Sequence, residues 1–269
     1  MAYNSAFNLD ALVVPTQAAT IFAAHEASLF LGGNLIPMGN IPAGSASLQV
    51  PLMGSVTATK ITAEGVTDDI PATAVTDTKV DIPANIYAAR TVLRDLGGID
   101  PQEIGRVLGN SISTSFDTDV KTVLESASIT NEVDTGGTVT LNFLFDAVKV
   151  IRDSGDMGQI YGVVSTAMAT NLLKNIGTAA YAGSEFQGTA MQNASIGTVA
   201  GVNLFVSSYM TANQGTLFTA DAFRIGMFRN IELEIERRAS AVGNDVVANL
   251  HAGVGLVDAS RACRLYDAP

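Results

Sequence analysis

Apolar residues recur at spacings of three and four between Asp100 and Ala127: Ile104, Val107, Leu108, Ile112, Phe116, Val120, Val123 and Leu124. This period predicts a helix with one buried stripe, leaving Arg106, Asn110, Ser113, Asp117 and Lys121 for its other faces. Asp100 has N-cap chemistry, Pro101 suits the first helical position, and Glu103 completes a capping-box spacing. At 1.5 Å per residue such a helix spans roughly 40 Å, the width of a domain. A different period marks the C-terminal third. Ile231, Leu233 and Ile235 alternate with Glu232, Glu234 and Glu236, so this strand has one buried face and one solvated face. Val246–Leu250, Val254–Val257 and Cys263–Tyr266 extend it into a terminal antiparallel sheet.

The remaining segments are read in the same way. Residues 1 to about 13 are polar and mixed, an extended arm. Pro15 to Leu31 is a small-residue helix stopped by Gly32-Gly33, suited to close packing against another element. Ile86 to Leu96 is a short element, a strand or a turn-leading helix, just before the long helix. Leu141 to Asp153 has helical spacing, Gln159 to Val164 reads as a buried strand, and Ser165 caps a helix through Ile176. A Gly/Ala-rich loop (178–197) and a strand pair bending at Gly201-Val202-Asn203 complete a compact α/β subdomain.

Residues 43–85 have a different character. Two extended runs rich in β-branched residues flank AEGVTDD, while Pro51, Pro71 and Pro83 confine the strands to edge positions. Few large apolar side chains lie between Met53 and Val80. A two-stranded hairpin with so little to bury is not stable alone in water. The composition therefore favours a hairpin that lies on a neighbouring subunit over one free in solution.

Among the 269 residues 47% are apolar and 15% charged, with no Trp; this supports a proper core without aromatic-lined pockets. The net charge of −11, with no Lys/Arg cluster, argues against sequence-specific nucleic-acid binding. The lone Cys263 excludes an intrachain disulfide and a cysteine zinc site, which points to a reducing cytosol. The opening MAYNSAFNLD lacks the positive n-region of a signal peptide, and no apolar stretch is long enough to span a bilayer. The expectation is a soluble intracellular protein without membrane contact.

No constellation supports catalysis, a metal or a cofactor. Asp117-Thr118-Asp119 matches a DxD pattern, but residues two apart on a helix point in nearly opposite directions, so a solvated helix face is expected instead. His25 and His251 are the only histidines and stand apart. Ser165 lacks the glycines of a nucleophile elbow, and Gly253-Val254-Gly255 lacks the third glycine and the lysine of nucleotide loops. Asp68-Asp69 reads as a charged hairpin tip that resists aggregation.

The order of parts is an arm, a poorly self-supporting hairpin, TVLRDL leading into the long helix, an α/β subdomain, then IELEIERR and a closing RLYD strand. It resembles the major capsid proteins of tailed bacteriophages, which share the Hong Kong 97 fold, over nearly the whole chain. Ala88–Asp100, Ile196–Ser208 and Arg224–Arg238 carry the closest local likeness. The resemblance implies an α+β fold with an N-terminal arm and helix (1–39) and an extended loop (40–85). It further implies a peripheral domain (86–134 and 221–269) with spine helix 100–127, and an axial domain (135–220). Spine-helix core positions are then Ile104, Val107, Leu108, Ile112, Phe116, Val120 and Leu124, and the peripheral-sheet strand carries Ile231, Leu233 and Ile235.

The implied function is self-assembly into hexamers and pentamers of an icosahedral head enclosing double-stranded DNA. The implied partners are a separate scaffolding protein, a portal and decoration proteins. The location implied is the virion, assembled in the host bacterial cytoplasm. Thr57, Lys60, Glu64, Asp68, Asp69 and Lys79 of the loop become intersubunit contact candidates. Some members cross-link a hairpin lysine to a neighbour's asparagine, but nothing here marks a partner for Lys60 or Lys79. Two alternatives remain: an encapsulin-type compartment shell of the same fold, and a small-molecule enzyme working around Ser165 or Asp221.

Overall fold

The computed structural model describes residues 9–54, 56, 58, 74–94, 101–136, 139–176, 197–238, 240 and 242–266. Two hydrophobic cores organise the chain: one centres on a four-stranded sheet and also takes in Val163, Phe218 and Ala262 of a six-stranded sheet, and the other lies within the six-stranded sheet's own subdomain. The first sheet has the order β1 (Met38–Asn40), β10 (Phe223–Arg238), β11 (Gly243–Leu256), β4 (Asn85–Arg94). Of the short element expected at Ile86–Leu96, strand or turn-leading helix, the described part is a strand, antiparallel to β11 with Ala89 opposite Ala248. Across this sheet lie two helices, α1 (Leu9–Ala27) and α2 (Pro101–Leu124).

Helix α2 carries the expected apolar stripe at most positions, with its buried arc widened toward α1. Ile104, Leu108, Ile112, Phe116, Val120 and Leu124 are all buried at intervals of four, which confirms most of the stripe. Val107 is a correction: it is 60% exposed. The second buried line on α2 is Gly105, Gly109, Ser113 and Asp117, on the far side of the stripe from Val107. That line faces α1. A Cβ on Gly105 would stand 2.6 Å from the Thr16 carbonyl oxygen, and one on Gly109 would meet the Ala24 amide at 3.0 Å. The expected close packing of the small-residue helix is therefore against α2, helix backbone on helix backbone. Helix α1 starts at Leu9, so the extended-arm reading fails for residues 9 to 13, which are helical.

Asp117 is a second correction. It is 1% exposed rather than solvated, because its carboxylate accepts hydrogen bonds from Ser28 Oγ (2.6 Å) and the Leu29 amide (3.3 Å) at the end of α1. Asp119 points elsewhere and accepts from the Tyr87 hydroxyl at 2.7 Å, so the two carboxylates do not share a site. Tyr87 also meets Phe116 edge-on, ring centroids 5.6 Å apart, tying β4 to the middle of α2. The Asp100 cap lies outside the described residues.

The second sheet has six strands: β5 (Glu132–Asp134), β12 (Ala262–Tyr266), β9 (Gly215–Thr219), β6 (Ile160–Ser165), β8 (Val202–Ser207) and β7 (Thr198–Val199). Helices α3 (Leu141–Asp153) and α4 (Thr166–Ile176) complete its core through Leu144, Ile151, Met168 and Leu172. Strand β6 is buried on both faces, and it runs parallel to β8 with α4 between them in the chain. Ser165 Oγ accepts from the Met168 amide at 3.3 Å, the expected cap. The turn between β7 and β8 places Ala200 and Gly201 at positive φ (54° and 79°), so the bend sits at Ala200-Gly201, just ahead of β8.

One strand changes sheets. Cys263–Tyr266 belongs with the terminal sheet by sequence, yet β12 pairs antiparallel with β9 (Cys263 opposite Leu217) and parallel with β5. The chain's last strand thereby stitches the α/β subdomain rather than extending the β10–β11 hairpin. Cys263 and Leu265, both fully buried, pack into the second core.

Candidate assembly surface

Strands β2 (Ser47–Met53) and β3 (Asp77–Pro83) form a separate antiparallel ribbon, with Leu48 opposite Ile82 and Val50 opposite Val80. The Ala84 amide bonds to the Ala46 carbonyl at one end, and Gly54 to Thr76 at the other, so pairing continues past both strand ends. Of the residues in the two strands only Ile82 is buried. Met53, Val56 and Val75 are 80%, 53% and 52% exposed. Both strands are edges, which accommodates Pro51 and Pro83 within them.

The ribbon's root rests on a line of glycines in the first sheet. Gly39, Gly226 and Gly253 are register partners across β1, β10 and β11, and Gly255 follows two residues on. Above them sit Leu48, Ile82 and Pro83. An added Cβ would approach Leu48 at 2.9 Å from Gly39 and Ile82 at 2.7 Å from Gly255, and from Gly253 it would overlap the Pro83 carbonyl. Three strands therefore supply a flat seat because none carries a side chain there. Held at its root, the ribbon exposes apolar side chains along its described length.

Charge on the first sheet is arranged in pairs. Asp245 lies between Arg90 and Arg238, and its hydrogen bonds from Arg90 hold the carboxyl below its ordinary range. Arg229 pairs with Glu232 at 3.5 Å. Near the second sheet Arg261 gathers Asp258 (3.0 Å), Asp221 (3.1 Å) and Asp156 (3.5 Å). The Asp156 carboxyl is held low, first by the Thr219 hydroxyl and also by Arg261. Among the described residues no His, Cys, Asp and Glu group is arranged to hold a metal ion, and no helix is long and apolar enough to cross a membrane.

No protein-family model and no curated protein matches the sequence. Solved structures do. The capsid structure of cyanophage P-SCSP1u aligns with a TM-score of 0.72 at 16% identity, covering 88% of each chain. The mature capsid of bacteriophage PhiM1 aligns at 0.63 and 15% identity, over 89% of this chain and 86% of that one. A virus-like particle from Pyrococcus furiosus aligns at 0.66 and 10% identity, over 94% and 98%. The chain has the Hong Kong 97-like capsid fold.

The strand expected at Ile231–Glu236 lies within β10, where Ile231 and Leu233 are buried and Ile235 is partly buried against the first core. Lys79, the one loop candidate among the described residues, stands opposite Pro51 and pairs with Asp81 at 3.6 Å on the exposed ribbon. Thr57, Lys60, Glu64, Asp68 and Asp69 lie outside the described residues. The glycine seat escaped sequence reasoning, although its Gly253-Val254-Gly255 segment was noticed as a failed nucleotide loop. The enzyme alternative gains nothing from the geometry: Ser165 Oγ is occupied capping α4, and Asp221 is an exposed partner of Arg261 and Arg224.

Proposed function

We propose that the chain is the major capsid protein of a tailed bacteriophage, self-assembling into the hexamers and pentamers of an icosahedral head that encloses double-stranded DNA. The observation that carries this reading is the β2–β3 ribbon. It is seated on the glycine row and leaves Met53, Val56 and Val75 exposed along its described length. An exposed edge ribbon with apolar side chains is an aggregation hazard in a monomer. In a shell it becomes an intersubunit strap, and the fold it belongs to is that of phage capsids.

In this reading residues 1–39 form the N-terminal arm and helix, 40–85 the extended loop, and 86–134 with 221–269 the peripheral domain. Residues 135–220 form the axial domain, to which β12 contributes a strand. Thr57, Lys60, Glu64, Asp68, Asp69 and Lys79 contact the neighbouring subunit. A separate scaffolding protein, a portal and decoration proteins are the partners, the chain assembles in the host cytoplasm, and it has no catalytic role. Its net charge of −11 gives a shell lining that does not hold DNA against its wall.

Size-exclusion chromatography with negative-stain microscopy of the purified chain tests the reading. Closed particles or capsomer-sized oligomers are expected; a stable monomer with residues 47–53 and 77–83 protected from hydrogen exchange contradicts it. A second reading is an encapsulin-type shell of the same fold. Particle diameter and enclosed cargo separate the two.

A further inference from the structure

The junction between α1 and α2 places a carboxylate where little can balance its charge. Asp117 is 1% exposed, and its partners are the Ser28 hydroxyl and the Leu29 amide. Ser28 Oγ in turn accepts from the Phe30 and Leu31 amides at 3.2 and 3.1 Å, so the chain leaving α1 is folded around this one contact. The core into which α1 and α2 pack is apolar, with Phe30, Leu31, Leu35 and Ile36 after α1, and Ile225, Ile231, Val246 and Leu250 from β10 and β11.

Among the described side chains, the following charged groups on these elements pair elsewhere or are exposed. Lys121, one turn along α2, pairs with Glu125 at 3.4 Å, and Asp119 accepts from Tyr87. His25 in the last turn of α1 is exposed. On the strands Arg224 pairs with Asp221, Arg229 with Glu232, Arg90 with Asp245, and His251 lies against Phe228. The carboxylate also stands at the C-terminal, electronegative end of α1.

We infer that the Asp117–Ser28 contact is a proton-operated latch that seats the N-terminal helix on the spine helix, tight when Asp117 is neutral and loosened when it is ionised. Burial dominates the two hydrogen bonds and pushes the Asp117 carboxyl up to about 6. The sign follows from linkage. A carboxyl raised above its unfolded value of 3.8 binds its proton more tightly when the helix is seated, so seating strengthens as pH falls from about 6 toward that value and is at its weakest, and level, above about 6. The inference concerns the single subunit and stands whether or not the chain builds a shell.

Hydrogen exchange of the full chain, corrected for intrinsic rates, tests the latch at Ala24–Leu31 between pH 8 and pH 5. In the wild type the opening equilibrium of these amides is expected to fall roughly tenfold toward pH 5. Asp117→Asn, of the same shape and without a charge, should keep them protected equally at both pH values. Either a wild type whose opening does not change, or an Asp117→Asn variant that keeps the wild-type pH dependence, overturns the latch. Should that variant not fold, Ser28→Ala decides: it removes a donor to the carboxylate and should loosen the segment more at pH 8 than at pH 5. Equal loosening at both values contradicts the proposal.

Discussion

Gly253 lies directly beneath the carbonyl of Pro83, so close that no side chain fits between sheet and ribbon. This relationship fixes where the ribbon leaves the body of the subunit. Replacing Gly253 with Ala must lift the ribbon's root or bend β11, an overpacking change of about 1–3 kcal/mol. The expected outcome is a folded subunit with a modestly lowered Tm and a disproportionate loss of assembly. Thermal unfolding alongside particle yield checks this; normal particles from Gly253→Ala would remove the seat from the account.

The spine stripe can be tested by contrast. Phe116 is fully buried against Tyr87, and Phe116→Ala should cost about 3–5 kcal/mol. Val107, on the open side of the same helix, should tolerate Thr within about 0.5 kcal/mol. Urea unfolding of the two variants measures the difference. Comparable losses would mean that the buried arc of α2 has been misplaced.

Gly109 should reverse an ordinary propensity. In an open helix Gly→Ala gains about 1 kcal/mol. Here the new methyl would meet the Ala24 amide at 3.0 Å and Ala23 Cβ at 3.1 Å, so Gly109→Ala should destabilise by about 1–3 kcal/mol. A raised Tm would show that α1 yields readily.

Cys263 gives a prediction in the alkaline range. It is fully buried in the second core, and burial, with a smaller contribution from Glu132, pushes its thiol up to about 12. The unfolded thiol ionises first, so this group withdraws stability as pH rises above about 9, its ordinary value. The native chain should be inert to a thiol reagent at pH 8 and become reactive only on unfolding. Fast labelling of the native chain would place Cys263 in a more open site.

What could be read from the sequence followed the reach of each signal. The α2 stripe and the β10 alternation are local periods, and both survive folding almost intact. The hairpin's lack of anything to bury was equally local, since it is a property of its own composition. Val107 and Asp117 were misjudged because the boundary of the buried arc is set by α1, and Ser28 is 89 positions away from the carboxylate it meets. Strand β12 was assigned to the wrong sheet because apolar character says that a strand is buried, not which partner buries it. The glycine row was invisible for the same reason: Gly39, Gly226 and Gly253 come into register only when three distant strands pair.

The β2–β3 ribbon is expected to find its missing burial on a second copy of the chain. Cryo-electron microscopy of the assembled particles measures this directly, by tracing residues 43–85 in the density. Met53, Val56 and Val75 should be covered by a neighbouring subunit while the root remains on Gly39, Gly226 and Gly253. A ribbon folded back onto its own subunit, or left uncovered in a closed shell, would contradict it.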